Sequence, residues 1–354
     1  MKSLRCCIAA LSILAGGAAL PASAQVDTKA PPRVAGAKTI PVETITVHST
    51  AIEGNLEGES PDRNVIVVLP YGYASHPDRR YPVVYALHGY SIGAEQWTRE
   101  IHVPETIENA FAAGVRDMIV VFPDSKTIYG GSMYSSSATT GDFERFISHD
   151  LIAYIDAHYR TIADRRSRGL VGHSMGGYGA TRIAMRHPDV FGAVYMMSPC
   201  CLSPRSVNNA PDADTMAKVA AVKNPGDAEN LPFFAKAMLA TAAAWSPDPK
   251  KAPLYLDLPV KDGKADEAVL AKWTANAPLA FADQYIGNMR RYKAIAIDVG
   301  DQDGLKADAE KLHDLWTRYG IVNSFEIYPG THTSDVAIRF QEKVMPFFNR
   351  NLEF

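Results

Sequence analysis

The sequence predicts an α/β domain built on a mostly parallel central sheet with helices on its faces. Three observations lead there. Short β-rich runs recur along the chain. From Val83 onward most are continuous apolar runs rather than alternating ones, and helical patterns separate the later ones. A strand inside a parallel sheet is covered on both faces, so an unbroken apolar run is what it needs.

The β-rich runs are Thr44–His48, Val65–Leu69, Val83–Leu87, Met118–Phe122, Gly169–Gly172, Ala193–Met197, Ala294–Val299 and Phe325–Tyr328. Between them, Asp142–Tyr159 places Phe143, Phe146, Ile147, Leu151, Tyr154, Ile155 and His158 on one helical face. Gly177–His187 is a short helix stopped by Pro188. Leu305–Tyr319 and Ser334–Phe348 alternate with the last strands, giving the β-α-β-α order of a doubly wound sheet. Residues 202–285 break this rhythm. They carry weak helical segments interrupted by prolines, where an ordinary crossover is far shorter. The expectation is a largely helical insertion, a lid over an active site, placed before the strand Ala294–Val299.

The ends and the composition narrow the class. Lys2 and Arg5 precede an apolar run from Ile8 to Leu20, and Ala22-Ser23-Ala24 comes next. That is the layout of a bacterial-type secretory signal cleaved after Ala24. Residues 25–42, rich in Pro, Ala and Lys, read as a flexible leader, and 43–354 as the α/β domain with its insertion. The expected product is exported, periplasmic or extracellular, with no membrane span. A net charge of −3 with no Lys/Arg block argues against a nucleic-acid partner. Cys6 and Cys7 fall before the apolar run, which leaves Cys200 and Cys201, adjacent to each other. An oxidising compartment permits a disulfide, but neighbours close only through a strained eight-membered ring. Two buried thiols and a vicinal disulfide both stay open.

Gly172-His173-Ser174-Met175-Gly176 fits the pattern G-x-S-x-G, between an apolar run and a helix with small residues. Strand, sharp turn and helix in that order expose a serine at the turn, and glycines two residues to either side leave room for it. A serine hydroxyl needs a histidine to take its proton and an acid to orient that histidine. On this topology the acid comes after a late strand and the histidine after the last one. Gly300-Asp301-Gln302-Asp303-Gly304 succeeds Ala294–Val299, and Pro329-Gly330-Thr331-His332-Thr333 succeeds Phe325–Tyr328. His332 is the expected base. Asp303 is the first candidate for the acid and Asp301 the second. Asp301, Asp303, Gly304 and Glu310 also fit part of a calcium loop, but Val299 stands at its first position and a strand precedes it. The expected oxyanion donors are the N–H groups of Met175 and Tyr90, with His88 bracing the loop after Val83–Leu87. No phosphate loop, zinc-type H-E-x-x-H or cysteine cluster occurs, so no cofactor or metal is expected.

Together these pieces resemble the esterase D family of α/β-hydrolases, which includes feruloyl and acetyl-xylan esterases, S-formylglutathione hydrolase and mycolyltransferases. The resemblance rests on Leu87-His88-Gly89 with Trp97 downstream, Phe122-Pro123-Asp124, Gly130-Gly131-Ser132-Met133-Tyr134-Ser135, Asp150-Leu151, Gly172 to Gly177, Gly300 to Asp303 and Gly330-Thr331-His332. It covers about residues 60 to 200 and 290 to 350. It implies an α/β-hydrolase fold, and an acid three residues after the glycine, which favours Asp303. Two features depart from the family pattern: Ser334 stands where an aromatic is common, and the smaller members lack a counterpart of 202–285.

The expected activity is a secreted serine carboxylic-ester hydrolase working through a covalent acyl-enzyme on a small-molecule or glycan-linked ester, such as acyl, feruloyl or acetyl esters of carbohydrates. An acyltransferase on the same fold is the alternative, and a non-catalytic binding protein a further one. Tyr134 and Ser135, on a loop at the C-terminal edge of the sheet, are candidate substrate contacts. So are Cys200 and Cys201 after Ala193–Met197. Trp245, Trp273 and Tyr285 of the insertion are candidate walls of an apolar site.

Overall fold

Strands buried on both faces hold the centre of the molecule. The computed structural model describes residues 29–204, 213–261 and 263–354. The expected signal peptide lies outside the described residues. Eight strands form the main sheet: β1 (Val42–His48), β2 (Asp62–Val68), β3 (Val83–Leu87), β4 (Ile119–Pro123), β5 (Arg168–His173), β6 (Ala193–Met197), β7 (Ala294–Gly300) and β8 (Ser324–Tyr328). Their spatial order is β1-β2-β4-β3-β5-β6-β7-β8. β2 pairs antiparallel with β1 and β4, and every other pairing is parallel. All residues of β3, β4 and β6 are buried, as their unbroken apolar runs predict.

Side chains of successive strand residues go to opposite faces. Val83, Tyr85 and Leu87 therefore join one core, with Phe143, Leu151, Ile183, Leu239 and Trp316 from the helices that cover that face. Val84 and Ala86 join the other, with Trp97, Ile107, Phe340 and Phe348. Each fully buried Val, Leu, Ile or Phe among them contributes roughly 1.5–3 kcal/mol before the entropy cost is set against it.

Two expected helices are continuous but not uniform. Phe143–Arg145 passes through a π-helical turn, Phe146–Asp150, into Leu151–His158. The last helix divides into Val336–Arg339, a π turn Phe340–Val344 and Met345–Asn351. Pro346 lacks an N–H for the regular ladder and stands just beyond that wide turn. Residues 29–41 carry no helix or strand. They are held to the helix Glu105–Ala112 by Arg33–Glu108, Val34 N–H to Asn109 and Ile40 N–H to Glu108.

Between β6 and β7 the described chain forms helices at Ala213–Ala221, Phe233–Trp245, Glu267–Ala275, Pro278–Phe281 and Ile286–Met289, plus a two-stranded ribbon, Val260–Lys261 with Lys264–Ala265. Phe233–Trp245 buries Ala235, Met238, Leu239, Ala242 and Trp245 against the first core. This anchors it beside the C-terminal ends of the strands. Among the described residues no helix is long and apolar enough to cross a membrane.

Candidate active site

Ser174 sits between β5 and the helix Met175–Arg186 with φ 59° and ψ −114°, a backbone state that non-glycine residues rarely occupy. The surrounding packing imposes it. A side chain at Gly172 would strike the backbone of Gly176, and one at Gly176 would strike the carbonyl of Leu87. The Ser174 N–H donates to the carbonyl of Met197 at 3.0 Å, and its carbonyl accepts from the N–H of Tyr178 at 3.0 Å and of Cys200 at 3.1 Å. The serine is pinned on both sides while its hydroxyl faces a cavity of about 330 Å³.

Three side chains meet there in a line. His332 Nε2 is 2.9 Å from Ser174 Oγ, and His332 Nδ1 is 2.9 Å from Asp303 Oδ2. The second oxygen of Asp303 accepts the Leu305 N–H at 2.9 Å. Burial alone raises the pKa of the Asp303 carboxyl. The hydrogen bond and charge of His332 and the Leu305 N–H outweigh it, holding the group below its usual range. Asp301 does something else: its carboxylate accepts the Gly330 N–H at 2.9 Å, tying the loop after β7 to the loop after β8. Of the two aspartates, the geometry places Asp303 on the histidine. With Asp303 turned to His332 and Asp301 to Gly330, the two carboxylates do not converge on a common point.

The loop that carries His332 is fixed by further bonds. Gln302 N–H donates to the Gly330 carbonyl at 2.9 Å, and Thr331 N–H to Ser334 Oγ at 2.7 Å. Ser334, the departure from the family pattern, is thus a brace within the loop. His173, the residue before the serine, has Nε2 2.9 Å from the backbone carbonyl of His332. A carbonyl only accepts, so this nitrogen carries the proton. Burial, reinforced by the neighbouring His332, pushes His173 down to about 3.

Tyr90 and Met175 line the same cavity as Ser174. The Met175 N–H opens a helix, where no helical carbonyl precedes it to accept, and it lies at the positive end of the helix dipole. His88 accepts the Ser125 N–H at Nε2 (2.8 Å) and donates from Nδ1 to the Gly89 carbonyl (2.8 Å), which sets the path of the chain into Tyr90.

The Esterase family model matches residues 60–345. The chain belongs to this family. The esterases it groups are carboxylic-ester hydrolases, and the resemblance to the esterase D group read from the motifs holds. An endo-1,4-beta-xylanase/feruloyl esterase of Xylanibacter ruminicola is 31% identical over 184 residues, which are 50% of this chain and 24% of that protein. The chain thus spans about a quarter of that relative's length. Among solved structures, a ferulic acid esterase superposes with a TM-score of 0.60 at 24% identity, covering 88% of this chain and 99% of the other. An S-formylglutathione hydrolase from Staphylococcus aureus gives 0.56 at 15% identity, covering 89% and 100%. These two likenesses speak for the α/β-hydrolase fold.

The cavity of this esterase-family chain is mostly apolar. Met133, Cys200, Cys201, Phe233, Phe234 and Leu305 contribute to it beside the polar residues named above. Tyr134 and Ser135 do not line it. Tyr134 is fully buried, its hydroxyl donates to the His88 carbonyl at 3.0 Å, and its ring fills the space a side chain at Gly179 would take. Ser135 Oγ donates to the Met133 carbonyl at 2.9 Å and accepts from Trp245 Nε1 at 3.1 Å. Their neighbour Met133 is the residue of that loop that reaches the cavity. Trp245 and Trp273 belong to the core, and the insertion reaches the cavity through Phe233, Phe234, Ala237 and Thr241 instead. No sequence signal singled out Phe233 and Phe234, because an aromatic pair at a helix start reads equally as core.

Proposed function

We propose that this chain is an exported serine carboxylic-ester hydrolase with Ser174, His332 and Asp303 as its catalytic triad. The observation that carries the reading is the unbroken chain Asp303–His332–Ser174, with both contacts at 2.9 Å, ending on a strained elbow inside the cavity.

In this reading Ser174 Oγ attacks the ester carbonyl carbon as His332 Nε2 takes its proton. Asp303 keeps the Nδ1–H tautomer and stabilises the imidazolium. The N–H groups of Tyr90 and Met175 hold the oxyanion, and losing one such donor costs about 10²–10³ in turnover. His332 then passes the proton to the alcohol oxygen, the C–O bond breaks and an acyl-Ser174 remains. Water, deprotonated by His332, attacks the acyl carbon and releases the acid and the serine. The apolar cavity suits an acyl chain or ring. The feruloyl esterase relative adds weight to acyl, feruloyl or acetyl esters of carbohydrates as substrates.

The test is hydrolysis of p-nitrophenyl esters from acetate to decanoate, and of methyl ferulate, by the mature protein and Ser174→Ala. Loss of at least about 10³ in kcat with the fold retained supports the reading. Full activity in Ser174→Ala overturns it. Product formed faster on a sugar hydroxyl than on water reassigns the second step to acyl transfer.

A further inference from the structure

We infer that Cys200 and Cys201 close as a vicinal disulfide, forming a reducible wall of the catalytic cavity. Four observations converge. The chain has four cysteines, and two of them, Cys6 and Cys7, fall in the expected signal segment. After its removal Cys200 and Cys201 are the two cysteines that remain in the chain. The two Sγ atoms are 2.6 Å apart, well inside a non-bonded contact of two sulfurs and about half an ångström longer than a disulfide bond.

The backbone is already turned for such a ring. In an extended chain neighbouring side chains point to opposite sides. Cys201 has φ 60°, the left-handed region, which brings its side chain round beside that of Cys200. The segment leading into the turn is held in place: Ser198 N–H donates to the Asp298 carbonyl at 2.8 Å, and Cys200 N–H to the Ser174 carbonyl at 3.1 Å. Finally, both residues are partly exposed and line the cavity beside Ser174, so a thiol-exchanging reagent has access to them.

The step balances as thiol–disulfide exchange with a disulfide oxidant of the export compartment. The thiolate of one cysteine attacks a sulfur of the oxidant, forming a mixed disulfide and releasing one thiol. The neighbouring thiolate displaces the second thiol and closes the Cys200–Cys201 bond. The oxidant leaves as a dithiol carrying the two protons. Because the ring joins neighbours, it is strained and opens readily to a reducing dithiol. Closing it removes two thiol donors from the wall and fixes both side chains there, beside Ser174, whose carbonyl the Cys200 N–H already holds. The consequence for acyl selection rests on the esterase reading. The bond itself does not.

The deciding experiment is mass spectrometry on protein recovered from the export compartment and treated with iodoacetamide before any reductant. The peptide holding both cysteines is expected unalkylated and two hydrogens lighter than the dithiol, with both sites alkylated after dithiothreitol. Both cysteines alkylated without reductant, in the exported protein and again after oxidised glutathione, overturns the inference. So does a glutathione adduct or a crosslink between chains in place of the ring. The wall role is read separately, as KM across the ester series before and after reduction. A change of about threefold or more for the longer acyl groups, absent in the Cys200→Ser/Cys201→Ser protein, supports it. An unchanged series overturns the wall role, while the mass result still stands if no ester is turned over.

Discussion

His173 holds His332 by its backbone: its Nε2–H is directed at the carbonyl of His332, 2.9 Å away, and the two rings lie 5.0 Å apart, centre to centre. The residue that precedes the candidate nucleophile thus braces the candidate base from the other end of the sequence. His173 is buried and stays uncharged across any ordinary assay range, so it puts no second positive charge beside His332. Removing the donor, as in His173→Ala, takes this bond from the His332 carbonyl and lets the His332 loop drift. The expected result is a fall in kcat of about 10–100-fold with KM nearly unchanged. His173→Asn, which can still donate, is expected to recover part of it. A KM effect equal to the kcat effect would mean that His173 acts on binding instead.

The two aspartates after β7 separate in the same way. Asp303→Asn keeps the shape but presents the wrong hydrogen-bonding partner to Nδ1, and kcat is expected to fall about 10³–10⁴-fold. Asp301→Ala loses the acceptor for Gly330 N–H, a cost of about 1 kcal/mol in stability, with kcat within roughly tenfold. Steady-state kinetics beside urea unfolding checks both. A larger kcat loss for Asp301→Ala than for Asp303→Asn would reverse the assignment.

Strands were legible because burial on both faces writes itself as an apolar run: Val83–Leu87 and Ala193–Met197 fall where the sequence puts them, and the other edges shift by up to three residues. The positions of Ser174, His332 and the loop holding Asp303 are legible because they directly succeed β5, β8 and β7, where this topology puts a candidate nucleophile, base and acid. The sequence alone left Asp301 and Asp303 open, since both succeed the same strand within three residues and only the turn at Gly300 decides which one faces His332. The helices Ala94–Glu100 and Glu105–Ala112 went unread: they are short, and they bury Thr98, Glu100, Glu108 and Asn109, which break an apolar period. Tyr134 and Ser135 were misplaced for a related reason. A loop at the ligand-binding edge reads as exposed, but positive φ at Met133 and Tyr134 folds it back under His88.

Glu144 gives a pH dependence of stability. Its carboxylate, 7% exposed, meets Arg182 at 2.6 Å and Arg186 and His187 at 2.8 Å. Burial alone raises its pKa; the bonds from His187 and the two arginines outweigh that and bring it from 4.5 to about 2. A depressed carboxyl pKa favours the folded state above the unfolded value, and that stability is lost as pH falls through the folded one. Wild-type stability is therefore expected to drop by about 2–3 kcal/mol between roughly pH 4.5 and 2 on this account. Glu144→Gln should be less stable at pH 7 by a few kcal/mol, because Arg182 is left buried without its charge partner. It should also show a shallower acid slope. Urea midpoints at pH 7, 4.5 and 3 measure both, and an unchanged slope in the variant would place the acid sensitivity elsewhere.

Phe233 links the insertion to the chemistry. It lines the cavity and packs edge-on against Tyr90, with ring centres 5.2 Å apart at 81°. Tyr90 in turn donates its hydroxyl to the Tyr129 carbonyl at 2.7 Å, so the residue proposed to offer an oxyanion N–H is clamped from two sides. Phe233→Ala removes an aromatic wall, and KM for long or aromatic acyl esters is expected to rise about tenfold or more. For acetate, which reaches little of that wall, KM should stay within about threefold. The clamp on Tyr90 makes a second, separable demand: if it matters, kcat falls for every ester, acetate included, by up to the ~10²-fold that a loosened oxyanion donor costs. Phe234→Ala serves as the comparison, since Phe234 also lines the cavity but is 77% exposed and, among the aromatic rings of the described residues, meets only Phe233, edge to face. It should shift KM less than Phe233→Ala and leave kcat alone. Equal behaviour of the two variants on acetate would show that the insertion shapes the acyl site without supporting Tyr90.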